Sequence, residues 1–368
     1  MKGIKSIKSI VLKCVSILKL LTASKYFDAE CYFPELIDQR KTKTAIFLEQ
    51  CGNIIKYGSP NDYYFLYGLD IKGFHKKNDY VDYSLFISRR NAMDWSLTWY
   101  PPIAVLRDKA LFGIVAEAYG IRTPKNYGII KNEMLYQFGN HQSTPLRVFT
   151  SGLPVEEKYN AFIKKIDGEC AEGIFHVIIK DGAIYYCGDA DKIDSVLEKD
   201  KRYLLQSAIC NQHPDINAIY PKAVNTLRLV TVHNQKTNEI EVFSCVLRLG
   251  KGGSVVDNWA AGGLSVGVDT EKGSLRKYGF YKPGYGTKTV EHPDSHIVFE
   301  GYKIPFMNEA IFQAKKFHRH LYGMHSIGWD VAITTDGPCF VEGNDNWEIS
   351  LMQISNYGLQ KEFDNLFY

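Results

Sequence analysis

The sequence reads as an α+β protein, and three observations lead there. Antiparallel hairpins fill much of its second half, most clearly around residues 224–250 and 328–347. Amphipathic helices stand apart from them, at residues 105–120 and 304–323. At 368 residues, with 45% hydrophobic and 23% charged, the chain can bury the cores of two or three lobes.

Charge and cysteine usage narrow the class. Lys plus Arg is 44 against 41 acids, so a net charge of +3 makes no case for bulk nucleic-acid binding. The eight cysteines form no CxxC pair, which points to a reducing compartment, a cytoplasmic setting and mostly buried free thiols. No apolar run reaches the roughly 18 residues a membrane-crossing helix needs.

Residues 1–25 carry six lysines and no acid. Ile4, Ile7, Val11, Val15, Leu18 and Leu21 recur at helical spacing, so residues 4–22 read as a basic amphipathic helix. Such a helix fits peripheral contact with an anionic membrane surface, and it fits equally a helix resting on the protein's own core. Lys13 and Lys19 break the apolar stretch, so it does not read as a secretory signal. Residues 26–100, rich in Tyr, Phe and Asp, carry no chemical motif. They read as the rest of an accessory region, 1–100, closed by Pro101-Pro102.

A second segment, 101–150, opens with VLRDKALFGIVAEAYG, a helix ending at Gly120. Asp108 is an ordinary cap, but Lys109 in a first turn opposes the helix dipole, which singles it out. From 151 to 368 the chain reads as one unit. Asn160–Lys165 and Ile174–Lys180 are strands, and Asp181-Gly182 turns the chain into Ala183–Cys187. The intervening loop, Asp167–Gly173, holds Gly168 and Gly173 after a strand ending in lysine. Glycines let backbone N–H groups approach phosphate oxygens, although a plain hairpin turn accounts for the same residues. Lys201–Ile209 reads as a buried strand followed by a loop with His213 and Asp215.

The 224–250 hairpin turns near Lys236–Asn238, and an even register puts Arg228 and Arg248 on one face. Two such arginines need carboxylate or phosphate partners, or surface ion pairs. Residues 250–269 hold six glycines and read as a loop that folds over ligand. Residues 280–300 read as a polar excursion. Last comes GWDVAITTDGPCFVEGNDNW. A three-residue turn, Thr335-Asp336-Gly337, sets Val331 opposite Val341 and Ile333 opposite Cys339. Asp330 then faces Glu342, with Asn344 on the same side. Two facing carboxylates repel unless exposed or bridged by a cation, and two carboxylates plus an amide oxygen suit Mg²⁺.

Taken in order, these segments resemble an ATP-grasp ligase: Asp-Lys at a helix start, a lysine-ended strand with a glycine loop, a buried strand, NTLRLVT, a second arginine, a Gly-Gly loop, and FVEGNDNWE. The chain is most similar to the sugar-transfer-associated ATP-grasp family of bacterial polysaccharide gene clusters, over roughly 101–360, with Gln353 also matching. The resemblance implies an ATP-grasp fold, two α+β lobes clasping ATP. It implies Lys109 and Lys164 on the phosphates beneath a lid containing Gly168 and Gly173. Gln206, Ser207 and Ala208 would meet the adenine, and Asp215 the ribose. Asp330, Glu342 and Asn344 would hold Mg²⁺, two ions by analogy; Arg228 and Arg248 would face the γ-phosphate and the activated carboxylate. Lys165 stands where the family often has proline.

The implied activity is ATP-dependent carboxylate–amine ligation through an acyl phosphate, on a sugar acid or glycan and an amine. A phosphotransferase on a hydroxyl acceptor, or a nucleotide-binding scaffold without ligation, would use the same residues.

Overall fold

A computed structural model describes residues 13–95, 102–153, 159–168, 173–190 and 192–366. Ile4, Ile7 and Val11 of the amino-terminal stripe and residues 169–172 of the glycine loop therefore lie outside the described residues.

The amino-terminal part is helical: α1 over residues 13–22, α2 (Lys43–Tyr57) and α3 (Tyr83–Trp95). Next come α4 (Ile103–Arg107), α5 (Lys109–Ala118), β1 (Asn126–Lys131), β2 (Met134–Gln137), β3 (Ser143–Pro145) and α6 (Leu146–Ser151). The chain continues through β4 (Tyr159–Lys165), β5 (Ile174–Lys180), β6 (Ala183–Tyr186), α7 (Lys192–Val196), β7 (Tyr203–Ser207) and α8 (Pro214–Ile219). It then forms β8 (Thr226–Asn234), β9 (Glu239–Leu249), β10 (Leu264–Asp269), β11 (Ser274–Tyr281) and β12 (Lys288–Thr289). The last elements are α9 (Met307–His320), β13 (Ser326–Thr334), β14 (Gly337–Asn344), α10 (Ile349–Ser355) and α11 (Gln360–Leu366).

The strands form two antiparallel sheets, β3-β2-β1-β7-β4-β5-β6 and β12-β11-β10-β9-β8-β13-β14. The first encloses a small core around Ile130, Ala161, Ile163, Val177 and Leu205. The second is covered on both faces. On one, α9 buries Ala314 and Phe317 against Leu227, Trp329 and Val331. On the other, Phe86 and Tyr64 of the amino-terminal part join Val230, Val246, Trp347 and Met352 in one cluster. Two-sided cover explains why every residue of β13 is buried and no polar–apolar alternation survives there.

Gln353 fastens the amino-terminal part to this face. It is fully buried in α10, accepts from the Val81 backbone N–H at 3.0 Å, and donates to Val81 O and to Tyr67 Oη at 3.0 and 2.8 Å.

The structure corrects three expectations. The helix read across residues 105–120 is two helices, because Asp108 leaves helical geometry (φ −103°, ψ 108°). Its carboxylate instead caps α5, accepting from the N–H groups of Ala110 and Leu111 at 3.0 and 2.9 Å. Only the first part of the 250–269 segment is a loop; Leu264–Asp269 is the buried strand β10. Glycine serves contact there, since a Cβ on Gly267 would overlap the carbonyl of Ser355 at the end of α10. The free thiols are also less buried than expected: Cys245 and Cys339 are buried, whereas Cys14, Cys187 and Cys210 are exposed.

Candidate functional site

The site starts at Asp330, which pairs with Glu342 of β14 on one side and with Arg228 of β8 on the other. The local register differs from the expected one. Thr334 pairs with Gly337 across a two-residue turn, Thr335-Asp336, and Val331 faces Phe340, not Val341. The Thr334 hydroxyl drives this closure, donating to Gly337 O at 2.7 Å and accepting from Asp336 N at 3.2 Å. A bulge between Asp330 and Val331 absorbs the extra residue, so Asp330 still meets Glu342.

β8 and β9 bring the arginines to the same place. Arg228 pairs with Val246, so Arg248, two residues on, shares its face. Both guanidiniums turn to Asp330: Arg228 by a two-pronged contact through Nε and Nη2, Arg248 through Nη2 at 2.7 Å. Asp330 and the two arginines are nearly inaccessible, with side-chain exposures of 4% and 12%. Burial alone would raise the Asp330 carboxyl, but Arg228 and Arg248 hold it below the usual carboxylate range. Glu342 goes the other way. Burial, followed by the neighbouring Asp330 charge, pushes it up, and the arginines offset only part of this.

Sequence reasoning missed two residues here. Asp257 lies 3.5 Å from the Arg248 guanidinium and accepts from Thr226 N and Oγ1 at 3.0 and 2.5 Å. Thr226 Oγ1 also receives Arg248 Nη2 at 2.7 Å. A usable signal existed, since Asp257 is the single acid in the 250–263 loop.

Asn344 stands opposite Gly328 and donates to its carbonyl at 3.2 Å, with Glu342 Oε1 3.4 Å away. Asp330, Glu342 and the Asn344 amide thus form a hard-oxygen set on one edge of the hairpin, and a cation there would relieve the burden on Glu342. Among the described residues no group of three His, Cys, Asp or Glu side chains has metal-ligand geometry. The donors present suit an ion that takes its remaining ligands from phosphate and water.

The first sheet supplies a facing set. Lys164 on β4 donates to Gln206 Oε1 at 2.7 Å, and Gln206 donates to Asn126 Oδ1 at 2.7 Å. Burial, aided by the Lys109 charge, pulls Lys164 down to about 8, while Glu342 acts in the opposite direction. Lys164 thereby senses both sheets. Lys165 points away and pairs with Glu198 at 3.4 Å. Lys109 donates to Gly168 O, tying α5 to the base of the glycine loop, and Gly173 O at the other end accepts from Lys165 N at 2.8 Å.

Not every expected contact gathers here. The N–H groups of Ser207 and Ala208 are used by Lys125 O and Asn160 O at 2.8 and 2.9 Å, so neither is left to donate to a base edge. Asp215 is exposed at the start of α8, 3.6 Å from His213 Nδ1, and its backbone carbonyl receives Tyr302. None of these contacts reaches β7.

Residues 100–366 match the family model described as sugar-transfer associated ATP-grasp, and the chain belongs to that family. Family membership carries with it the use of ATP and Mg²⁺ in general. No curated protein matches the chain. Among solved structures it is similar to the D-Ala:D-Ser ligase VanG of Enterococcus faecalis (14% identity, TM-score 0.42, 73% of this chain and 63% of that one). It is also similar to D-alanyl-alanine synthetase A of Vibrio cholerae (11%, 0.41, 71% and 62%) and to N5-carboxyaminoimidazole ribonucleotide synthetase of Thermotoga maritima (13%, 0.36, 72% and 50%). The chain thus spans between half and two thirds of the length of these proteins.

Proposed function

We propose that the protein is an ATP- and Mg²⁺-dependent carboxylate–amine ligase of bacterial surface-polysaccharide biosynthesis, joining an amino acid or other amine to a sugar acid or glycan. One observation carries this reading: two arginines and two carboxylates meet on the second sheet, and half-buried Lys164 of the first sheet lies near enough to Glu342 for that charge to raise its pKa. The family description supports the glycan setting.

In this scheme a substrate carboxylate oxygen attacks the γ-phosphorus, the bond to the β-phosphate oxygen breaks, and ADP leaves with the electron pair. The amine then attacks the acyl carbon, phosphate departs, and the amine gives up a proton. Lys164 and Lys109 hold phosphate oxygens, and Arg228 and Arg248 exchange Asp330 for the γ-phosphate and the carboxylate. Asp330, Glu342 and Asn344 would hold the metal, which supplies charge neutralisation at the phosphates. Catalysis is positioning plus electrostatics, so no histidine is needed. ADP release with amino acids and sugar acids, in the presence of hydroxylamine, tests the reading. ADP with a matching hydroxamate is expected; ADP without one points to phosphotransfer, and nucleotide binding without turnover to a scaffold.

The same reading includes peripheral contact with the cytoplasmic membrane face through residues 4–22. In the described part of α1, Ser16 and Leu20 fill the contact with α2, while Val15, Leu18 and Leu21 are 50–61% exposed. An apolar stripe left outside, beside six lysines, suits an anionic bilayer. No helix among the described residues is long and apolar enough to cross one. Co-sedimentation with phosphatidylglycerol vesicles is expected, and loss of it in Leu18→Ser, Leu21→Ser; equal binding by that variant would remove the idea.

A further inference from the structure

Arg228 and Arg248 share Asp330, but they are not held alike. Among the described residues the Arg228 guanidinium has no other hydrogen-bond or ion-pair partner. Arg248 has a second anchorage. Its Nε and Nη2 donate to Thr226 Oγ1 at 3.2 and 2.7 Å, and Asp257 Oδ2 lies 3.5 Å from Nε. The Thr226 hydroxyl donates in turn to Asp257 Oδ2 at 2.5 Å. Asp257 thereby fixes the direction of that hydroxyl, and its lone pairs are left for the guanidinium. Asp257 and Thr226 are 8% and 5% exposed, so water screens these contacts little. Burial disfavours the Arg248 charge, and Asp257 offsets this more than Asp330 does.

The anchorage is built into the fold. Asp257 belongs to the 250–263 loop, which is tied to the residues leading into β8. Gly250 N donates to Asn225 Oδ1 at 3.2 Å, Thr226 N to Asp257 Oδ2 at 3.0 Å, and Tyr220 Oη to Ser254 O at 2.7 Å. Gly263 closes the loop at its far end. A Cβ there would stand 2.7 Å from Asp257 O and 2.9 Å from Asn258 O, both backbone atoms that cannot easily give way. Loop and arginine thus form one unit without ligand.

A cation held by Asp330, Glu342 and Asn344 would compete with both guanidiniums for Asp330. Arg228 would then keep no partner among the described residues, whereas Arg248 keeps Thr226 and Asp257. We propose that Asp257 is a positioning residue: through Thr226 it holds Arg248 in place once Asp330 turns to the cation, so that Arg248 meets the γ-phosphate as a fixed donor while Arg228 is the arginine that moves. A fixed donor suits the phosphate, which is the same in every turnover; a mobile one suits the carboxylate. The inference rests on the ligase reading and adds a division of roles between its two arginines.

The test is binding of Mg²⁺–AMP-PNP and Mg²⁺–ADP to the full-length protein by calorimetry. Asp257→Asn should weaken AMP-PNP about ten-fold, the loss of one charge-assisted contact, and leave ADP, which has no γ-phosphate, nearly unchanged. Thr226→Val should do the same, and Thr226→Ser, which keeps the hydroxyl, should match the wild type. A merely structural role would weaken both nucleotides alike. Equal weakening of the two in Asp257→Asn, or wild-type AMP-PNP affinity in Asp257→Asn or in Thr226→Val, would overturn the proposal. If Asp257→Asn lowers the melting temperature, the two Thr226 variants decide, since valine matches threonine in shape. A wild-type protein that binds neither nucleotide would remove the ligase reading and this inference with it; wild-type binding with indifferent variants would remove the role of Asp257 alone.

Discussion

Asp330 and Glu342 are direct cross-strand partners, yet their carboxyls are shifted in opposite directions. Asp330 is held by two guanidiniums, and Glu342 is pushed up by burial and by Asp330 itself. Their replacements should therefore behave differently. Asp330→Asn strips two buried arginines of their shared counter-charge and should cost about 3–5 kcal/mol, seen in the urea midpoint. Glu342→Gln removes a buried repulsion, so the nucleotide-free protein should be as stable or slightly more so, while Mg²⁺–nucleotide affinity falls.

The raised Glu342 also sets a pH dependence. Its proton must leave before a cation binds, so Mg²⁺–nucleotide affinity should rise with pH through and above the ordinary carboxylate range. Titration calorimetry across that window should show proton release on binding, absent in Glu342→Gln.

Lys164 gives the opposite sign at the alkaline end. With its pKa near 8 in the free protein, it is partly neutral above that value, and bound phosphate would raise it. Nucleotide affinity should fall as pH climbs through about 8, with proton uptake on binding. Lys164→Met should weaken binding and flatten this limb; a limb that persists in the variant would assign it elsewhere.

Gly113 places Asn126. A Cβ at Gly113 would overlap Asn126 Nδ2, and Asn126 holds Gln206, which holds Lys164. In an open helix Gly→Ala would gain about 1 kcal/mol, but here overpacking of about 1–3 kcal/mol should prevail. Gly113→Ala should lower both the melting temperature and nucleotide affinity.

Gln353→Leu should loosen the amino-terminal part. The change leaves Val81 N–H and O unpaired, about 1–3 kcal/mol for each buried group. Faster amide exchange at Val81 and its neighbours is expected, with the sheet amides of β8 and β13 little affected.

The sequence by itself determined the elements whose signals are local. The Asp181-Gly182 turn follows from turn residues, which act over a few positions. The shared face of Arg228 and Arg248 and the pairing of Asp330 with Glu342 are also expected from the sequence, but each rests on a bulge that resets the hairpin, between Val230 and Thr231 and between Asp330 and Val331. The order of lysines, arginines and carboxylates along the chain sufficed for the family. Tertiary structure alone decided where those charges point. Asp257 on Thr226, Asn126 on Gln206 and Gln353 on Val81 join residues far apart in sequence, and no periodicity encodes such meetings. The glycine-rich stretch at 264–269 became a buried strand because α10 settles on it, and Asp108 broke a helical pattern because a cap was worth more there than another turn. In the first case packing from α10, and in the second the cap on the N–H groups of Ala110 and Leu111, outweighed a local preference of at most about 1 kcal/mol per residue.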